Sequence, residues 1–216
     1  MSTPDSPTPP GKPSAAPLTD RQRRVFDALL DQFLTRGFAD FTIDRASRDL
    51  RCSKTTLYAL GPTRDAIVSR VLVSFFRQIA VRTDAALAGH RSSAAALESY
   101  FDAIVTALEP ASPAFIADLH RDPVGQQVYR RNTELATERI IRAIEAGVES
   151  GEFRRHSARF TATVIESAMD LIRSGEFNTI LPAQDAYREL GQLILHGVVA
   201  HRTPPPEPPG MAPPVP

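Results

Sequence analysis

Apolar residues recur every three or four positions along most of the central chain. One stripe of this kind runs from Val25 to Leu34, and a wider one runs from Ile67 to Ile79. This spacing puts apolar side chains on one face of an α-helix, whereas a half-buried strand would alternate apolar and polar residues. We therefore predict an all-α protein. The predicted helices cover 19–36, 43–50, 54–60, 63–88, 93–109, 114–121, 125–150, 157–174 and 184–201.

The prolines divide the chain into four parts. Of 19 prolines, six precede Leu18 and eight follow Thr203. Such proline-rich tails bury too little apolar surface to offset the entropy lost on ordering, so 1–17 and 203–216 are predicted to be disordered. Between them, short helices come first and long ones follow. This order predicts a three-helix unit over 18–62 and a larger body of about six helices over 63–202.

The composition excludes several kinds of chemistry. The 216 residues carry 25 Lys and Arg against 25 Asp and Glu, so nucleic acid or a membrane would have to be recognised by a local patch. No stretch has the length of a membrane span or of a secretory signal, so we expect a cytoplasmic protein with no membrane partner. Cys52 is the single cysteine, and the five histidines lack metal-ligand spacing. We predict no metal, no cofactor and no enzymatic activity, since an enzyme would need an acid–base cluster that the sequence lacks.

Two short helices in the first unit are separated by the three residues "RCS". Thr42 and Ser53 are predicted to be their N-caps, which gives a helix-turn-helix. In that motif the second helix enters the DNA major groove and the first crosses the phosphate backbone. The second helix begins "SKTTLY", in which Leu57 would pack on the core and Tyr58 would reach the DNA backbone.

A new helix is predicted to start directly after Gly61 and Pro62. Thr63 would cap it, and its free amides together with Arg64 would attract a second phosphate. Residues 19–60 carry eight cations and six aspartates, so charge alone barely favours DNA over an ordinary solvated surface. The predicted DNA contacts are Thr42, Arg45, Ser53, Lys54, Thr55, Thr56, Tyr58, Thr63 and Arg64.

From about residue 19 to 80 the chain resembles the TetR family of transcriptional regulators. The matching residues are Gly37, Phe38, Thr42, Ile43, Ser53, Lys54, Thr56, Leu57, Tyr58, Pro62, Thr63, Arg64, Asp65, Ala66 and Ile67. Two segments depart from the family pattern. Arg51 and Cys52 stand where Gly-Val is usual, and Ala59-Leu60-Gly61 replaces an aromatic or His pair and a Phe.

The resemblance implies a function for both parts of the chain. The 18–62 unit would bind double-stranded operator DNA, and the body would bind a small-molecule effector and form a homodimer through its last two helices. The residues predicted for that dimer are Ile165, Met169, Ile172, Leu190, Ile194 and Val198. The effector pocket would lie among the fourth to eighth helices, where Phe101, Phe115, Tyr129, Phe153 and Phe160 suit either a pocket wall or core packing.

The function predicted from these features is an effector-released repressor. An alternative is a helical interaction protein that kept the scaffold and lost specific DNA binding, which the two departures at 51–52 and 59–61 favour.

Overall fold

A computed structural model describes residues 18–177 and 179–199, without the side chains of Arg173, Ala183 and Gln184. Within those residues the chain forms nine α-helices: α1 (Asp20–Arg36), α2 (Ile43–Asp49), α3 (Lys54–Tyr58), α4 (Arg64–Leu87), α5 (Ser93–Leu108), α6 (Pro113–Arg121), α7 (Pro123–Glu149), α8 (Ala158–Ser174) and α9 (Ala183–Val198). One isolated antiparallel bridge joins Phe153 to Val199. The all-α prediction is confirmed, and the predicted bounds lie within three residues of those observed. The predicted tails, 1–17 and 203–216, lie outside the described residues.

Side-chain caps explain where most of these helices begin. Seven of the nine start after a Ser or Thr whose hydroxyl accepts a hydrogen bond from a backbone amide of the first turn. Asp122 does the same for α7, and α6 and α7 both carry proline at their first position. Each cap stabilises its helix by about 1 kcal/mol. The predicted caps Thr42, Ser53 and Thr63 are all confirmed.

We call α1–α3 the head and α4–α9 the body, and one hydrophobic core joins them. It contains the buried faces of α1, α2 and α3, the N-terminal half of α4, and α6. Aromatic rings run through it from Phe33 to Phe38, from Phe38 to Phe115 and from Phe115 to Phe75, with centroid distances of 5.5, 5.8 and 5.3 Å. The core therefore crosses the predicted boundary at residue 62, so the position of the head depends on α4 and α6.

A second core lies deeper in the body, among α5, α7, α8 and α9. A smaller cluster centred on Ile172, Ala186 and Tyr187 extends it toward the end of α8. Over the described ranges, none of the helices has both the length and the hydropathy that crossing a bilayer requires.

Candidate nucleic-acid interface and ligand cavity

The short helix α3 presents a polar face to solvent. Leu57 is completely buried and anchors α3 to the core, as predicted. Lys54, Thr55 and Tyr58 point away from that core, with 58% of the Lys54 side chain and 49% of Tyr58 exposed. At the start of the helix the Ser53 hydroxyl lies 3.1 Å from the Thr56 amide, which donates to it, and 2.9 Å from the Thr56 hydroxyl. The exposed side chains therefore have the arrangement that a groove-entering helix requires.

The α2–α3 turn shows how the chain accommodates its unusual sequence. Arg51 has a φ of 47° and is the one non-glycine residue with positive φ in the described chain. The left-handed conformation is costly for a residue with a Cβ atom, which is why glycine is usual there. Cys52 is buried, and its carbonyl accepts a hydrogen bond of 2.6 Å from the Ser47 hydroxyl. Burial raises the pKa of the Cys52 thiol, so it is a packed core residue and a weak nucleophile.

The other departure from the family pattern also packs well. Leu60 is buried and packs in the core that joins the first helices to α4. Its carbonyl accepts a 3.0 Å hydrogen bond from the Arg70 side chain of α4. A Cβ atom on Gly61 would lie 2.9 Å from the Ile67 amide nitrogen, so glycine allows α4 to begin close against the end of α3.

Two of the three predicted DNA-binding cations, Lys54 of α3 and Arg45 of α2, are paired with exposed aspartates. Lys54 forms an ion pair with Asp44. The hydrogen bond to Lys54 and the charge of Lys54 lower the pKa of Asp44. In turn, the hydrogen bond to Asp44 and the charge of Asp44 raise the pKa of Lys54. Arg45 lies 3.9 Å from Asp40 and 3.7 Å from Asp49. All five side chains are exposed, and surface pairs of this kind are weak. DNA phosphates would therefore compete with carboxylates for both cations.

Thr63 is exposed at the N-terminus of α4, and its hydroxyl accepts a hydrogen bond from the Ala66 amide at 3.1 Å. The neighbouring Arg64 is held by protein partners, and a phosphate contact by this side chain stays a prediction. Its side chain is 31% exposed, and its guanidinium binds Asp122 at 2.8 Å and the Phe38 carbonyl at 3.1 Å. Burial lowers the pKa of Arg64, but the hydrogen bonds and charges of Asp122 and Asp65 raise it above its ordinary value. Arg64 therefore ties the head to the α6–α7 junction.

A carboxylate of α6 completes this attachment. Oδ2 of the buried Asp118 accepts hydrogen bonds from the Phe38 amide at 2.6 Å and from the Ala39 amide at 2.8 Å. Gly37 precedes them with φ 78° and ψ −176°, a combination that is essentially restricted to glycine. A Cβ atom on Gly37 would lie 2.3 Å from the same Oδ2. We call these contacts of Asp118 with the α1–α2 loop the Asp118 clasp.

The six residues predicted to form a dimer pack against the subunit's own cores, and their part in a dimer stays a prediction. Ile165, Ile172 and Val198 are buried within the subunit. Met169, Leu190 and Ile194 are partly buried and pack against the same clusters. These residues lie on the broader apolar stripe of each helix, and in a single chain the broader stripe covers the core.

Other faces of the same helices, and the loop between them, carry exposed apolar residues. Phe160, Val164 and Leu171 follow one another along the outer face of α8 at helical spacing. Leu193 of α9 and Ile180 of the connecting loop are about as exposed as Phe160, which is 70% accessible. Of the eight large hydrophobic residues exposed in the described ranges, these five lie in the α8–α9 region. We call them the outer α8–α9 patch.

The body contains a partly open cavity of about 70 Å³ between α4, α5, α6 and α7, with Met169 of α8 and Tyr187 of α9 also in its lining. Its lining is mainly apolar and aromatic. Of the five aromatic residues considered from the sequence, Tyr129 lines it. Phe101, Phe115 and Phe153 are buried in the cores, and Phe160 is on the surface.

Solved structures with a similar fold are transcriptional regulators. One from Saccharomonospora viridis, in complex with choline, has a TM-score of 0.71 and 17% identity, covering 84% of this chain and 99% of that one. A TetR transcription regulator from Haloarcula marismortui has a TM-score of 0.72 and 14% identity over the same shares. The ketosteroid regulator KstR2 of Mycobacterium tuberculosis has a TM-score of 0.60 and 17% identity, covering 87% and 99%. No protein-family model and no curated protein matches the sequence.

A helix-turn-helix head on a larger all-helical body is therefore the architecture of this chain. It is the fold of TetR transcriptional regulators.

Proposed function

We propose that the protein is a cytoplasmic, homodimeric transcriptional regulator that binds operator DNA through α3 and is released by a small-molecule effector. The exposed face of α3 is the observation that carries this proposal. Its lysine, threonine and tyrosine side chains are accessible while Leu57 holds the helix to the core. This arrangement is expected when a short helix must enter a groove and still be held rigidly.

Thr42, Arg45, Ser53 and Thr63 surround α3 and are exposed as well. Their hydroxyls and the Arg45 guanidinium suit contacts with phosphates, which position a protein on the duplex. Base reading would fall to Lys54 and Thr55, at the N-terminal end of α3. Thr56 is half-buried and bonded to Ser53, so its part is to hold the first turn in place.

Two copies are needed to read a palindromic site, because a dimer presents its recognition helices to successive turns of the groove. The outer α8–α9 patch is the surface we propose for that dimer. Exposed apolar side chains concentrated on one surface mark an interaction site more clearly than scattered ones do. A second copy related by a two-fold axis would place α8 and α9 of both subunits against one another.

The contacts between head and body suggest how an effector acts. α4 carries both Arg64 and one wall of the cavity, and α6 carries both the Asp118 clasp and a further part of that wall. A ligand that favours a different position of α4 or α6 would therefore change the angle of the head. The Saccharomonospora viridis structure, which holds choline, supports small-molecule binding by a protein of this fold.

Fluorescence anisotropy with the DNA upstream of the protein's own coding sequence tests the proposal. We expect a saturable complex whose affinity falls steeply with salt. Lys54→Ala should flatten the salt dependence by about one unit for each subunit, because a phosphate contact is lost. Arg142→Ala removes an exposed cation of α7 and should leave the slope unchanged. A helical interaction protein without DNA binding would instead give no specific complex and no difference between the two variants.

A further inference from the structure

The cavity in the body has a lining with almost no charge. Aromatic and aliphatic side chains such as Phe76, Tyr100, Ile104 and Ile140 form most of it. Arg139 is the one charged residue among the lining residues described. Its guanidinium donates to both oxygens of Asp84, at 2.5 and 3.3 Å, and to the Leu135 carbonyl at 3.0 Å. It therefore has a carboxylate partner of its own.

The hydroxyl groups around the cavity are not equivalent. Thr83 donates to carbonyls of its own helix, and Thr137 is hydrogen-bonded to Glu166 at 3.1 Å. Burial raises the pKa of Tyr100 to about 12, so its hydroxyl stays neutral. Thr133 differs from these, because its Oγ1 atom is fully buried and has no hydrogen-bond partner among the described residues. A buried hydroxyl without a partner is costly unless a bound molecule supplies one.

Charge restricts what the cavity accepts. An ionic ligand would lose its hydration and find no unpaired opposite charge on the lining, which is strongly unfavourable. A neutral ligand avoids that cost. An apolar one gains from the aromatic walls.

Size restricts it as well. An apolar cavity of about 150 Å³ admits benzene, and this one measures about 70 Å³. An occupant as large as a benzene ring would therefore either extend to the open side of the cavity or displace a wall. The α4 wall, with Phe76, Ile79 and Thr83, belongs to the helix that begins at the head.

We infer that the cavity binds an uncharged, largely apolar molecule carrying one hydrogen-bonding group, which Thr133 recognises. The inference rests on the proposed function only in naming this molecule as the effector. The binding chemistry itself follows from the lining.

Four small probes of related shape test it on the full chain without DNA: benzyl alcohol, toluene, benzoate and benzyltrimethylammonium. Ligand-observed NMR and calorimetry should detect benzyl alcohol and toluene. The two charged probes should bind at least about tenfold more weakly, since benzoate loses its hydration without gaining a partner and the ammonium regains only part of its hydration energy from the aromatic rings. A charged probe that binds as tightly as benzyl alcohol overturns the inference, and so does the absence of binding by both neutral probes.

A matched pair of variants tests the role of Thr133. Thr133→Val keeps the side-chain shape and removes the hydroxyl, so benzyl alcohol should bind about tenfold more weakly while toluene binds at least as well as before. Thr163→Val removes an exposed threonine hydroxyl of α8 and should change neither affinity. A cooperative thermal unfolding transition in each variant is the control that shows that it is folded.

Equal loss of affinity for both neutral probes in Thr133→Val contradicts hydrogen-bond recognition, as does no loss for benzyl alcohol. If the chain bound the neutral probes but no DNA, this inference would stand and the proposed function as a DNA-binding regulator would be refuted.

Discussion

The Asp118 clasp gives a prediction whose size follows from its two hydrogen bonds. In Asp118→Ala the buried Phe38 amide, which donates at 2.6 Å, loses its acceptor. An unsatisfied buried donor costs about 1–3 kcal/mol. Ala39 is exposed, so its amide can turn to water and adds less. We expect Asp118→Ala to lower the free energy of unfolding by about 3 kcal/mol, mostly through Phe38.

Asp118→Asn removes the charge of the side chain while keeping its size and shape. The amide oxygen still accepts hydrogen bonds, but charge-assisted bonds are roughly twice as strong, so we expect a loss of about 1 kcal/mol. Gly37→Ala perturbs the Asp118 clasp through the α1–α2 loop instead of through α6. Its Cβ atom would lie 2.3 Å from Oδ2, and the glycine-only conformation adds a strain of about 1–3 kcal/mol.

Urea unfolding at a fixed protomer concentration measures these differences, because the stability of a dimer depends on concentration. Hydrogen exchange at the Phe38 amide reports on the clasp itself and should accelerate in both Asp118 variants. Asp102→Ala, at an exposed position of α5, is the control and should change little. If Asp118→Ala were no more destabilising than this control, the clasp would not hold the head.

Three further predictions concern the head and the dimer. Arg51→Gly should raise the free energy of unfolding by about 0.5–1 kcal/mol in urea titrations, because the left-handed strain exceeds the entropic cost of glycine. Asp44→Asn should tighten DNA binding in anisotropy titrations, because it frees Lys54 and removes a repulsive carboxylate; weaker binding would mean that Asp44 positions the lysine. Leu193→Asp should produce monomers in light scattering, because it places a charge in the outer α8–α9 patch. Val81→Asp, at an exposed position of α4 outside that patch, should stay dimeric.

The sequence predicted the helices well because their signals are local. Each of these signals acts within about one helical turn: the apolar spacing, the prolines, and the caps Thr42, Ser53 and Thr63. The ends of the helices could therefore be predicted from short segments of sequence. The exposed face of α3 was also predictable, since Leu57 is the apolar residue at the position facing the core. Arg51, with its positive φ, stands where the family pattern has glycine, so the sequence marked the position of this unusual turn.

The contacts that the sequence did not reveal join partners that are distant in sequence. Arg64 meets Asp122, 58 residues away, and nothing near Arg64 indicates that pairing. Asp118 contacts the α1–α2 loop across 80 residues, and its signal in the sequence is one acidic residue among the apolar residues that begin α6. For the dimer, α8 has two apolar stripes. One stripe contains Ile165 and the other contains Phe160, and the spacing alone does not indicate which of the two faces the subunit's own core.

Insertion of α3 into the major groove by two subunits is tested most directly by hydroxyl-radical footprinting on the upstream DNA. We predict two protected segments on one face of the duplex, with centres about one helical turn, or a multiple of it, apart. Lys54→Ala and Thr55→Ala should weaken both segments together. A single protected segment, or protection that both substitutions leave unchanged, would contradict DNA reading by α3.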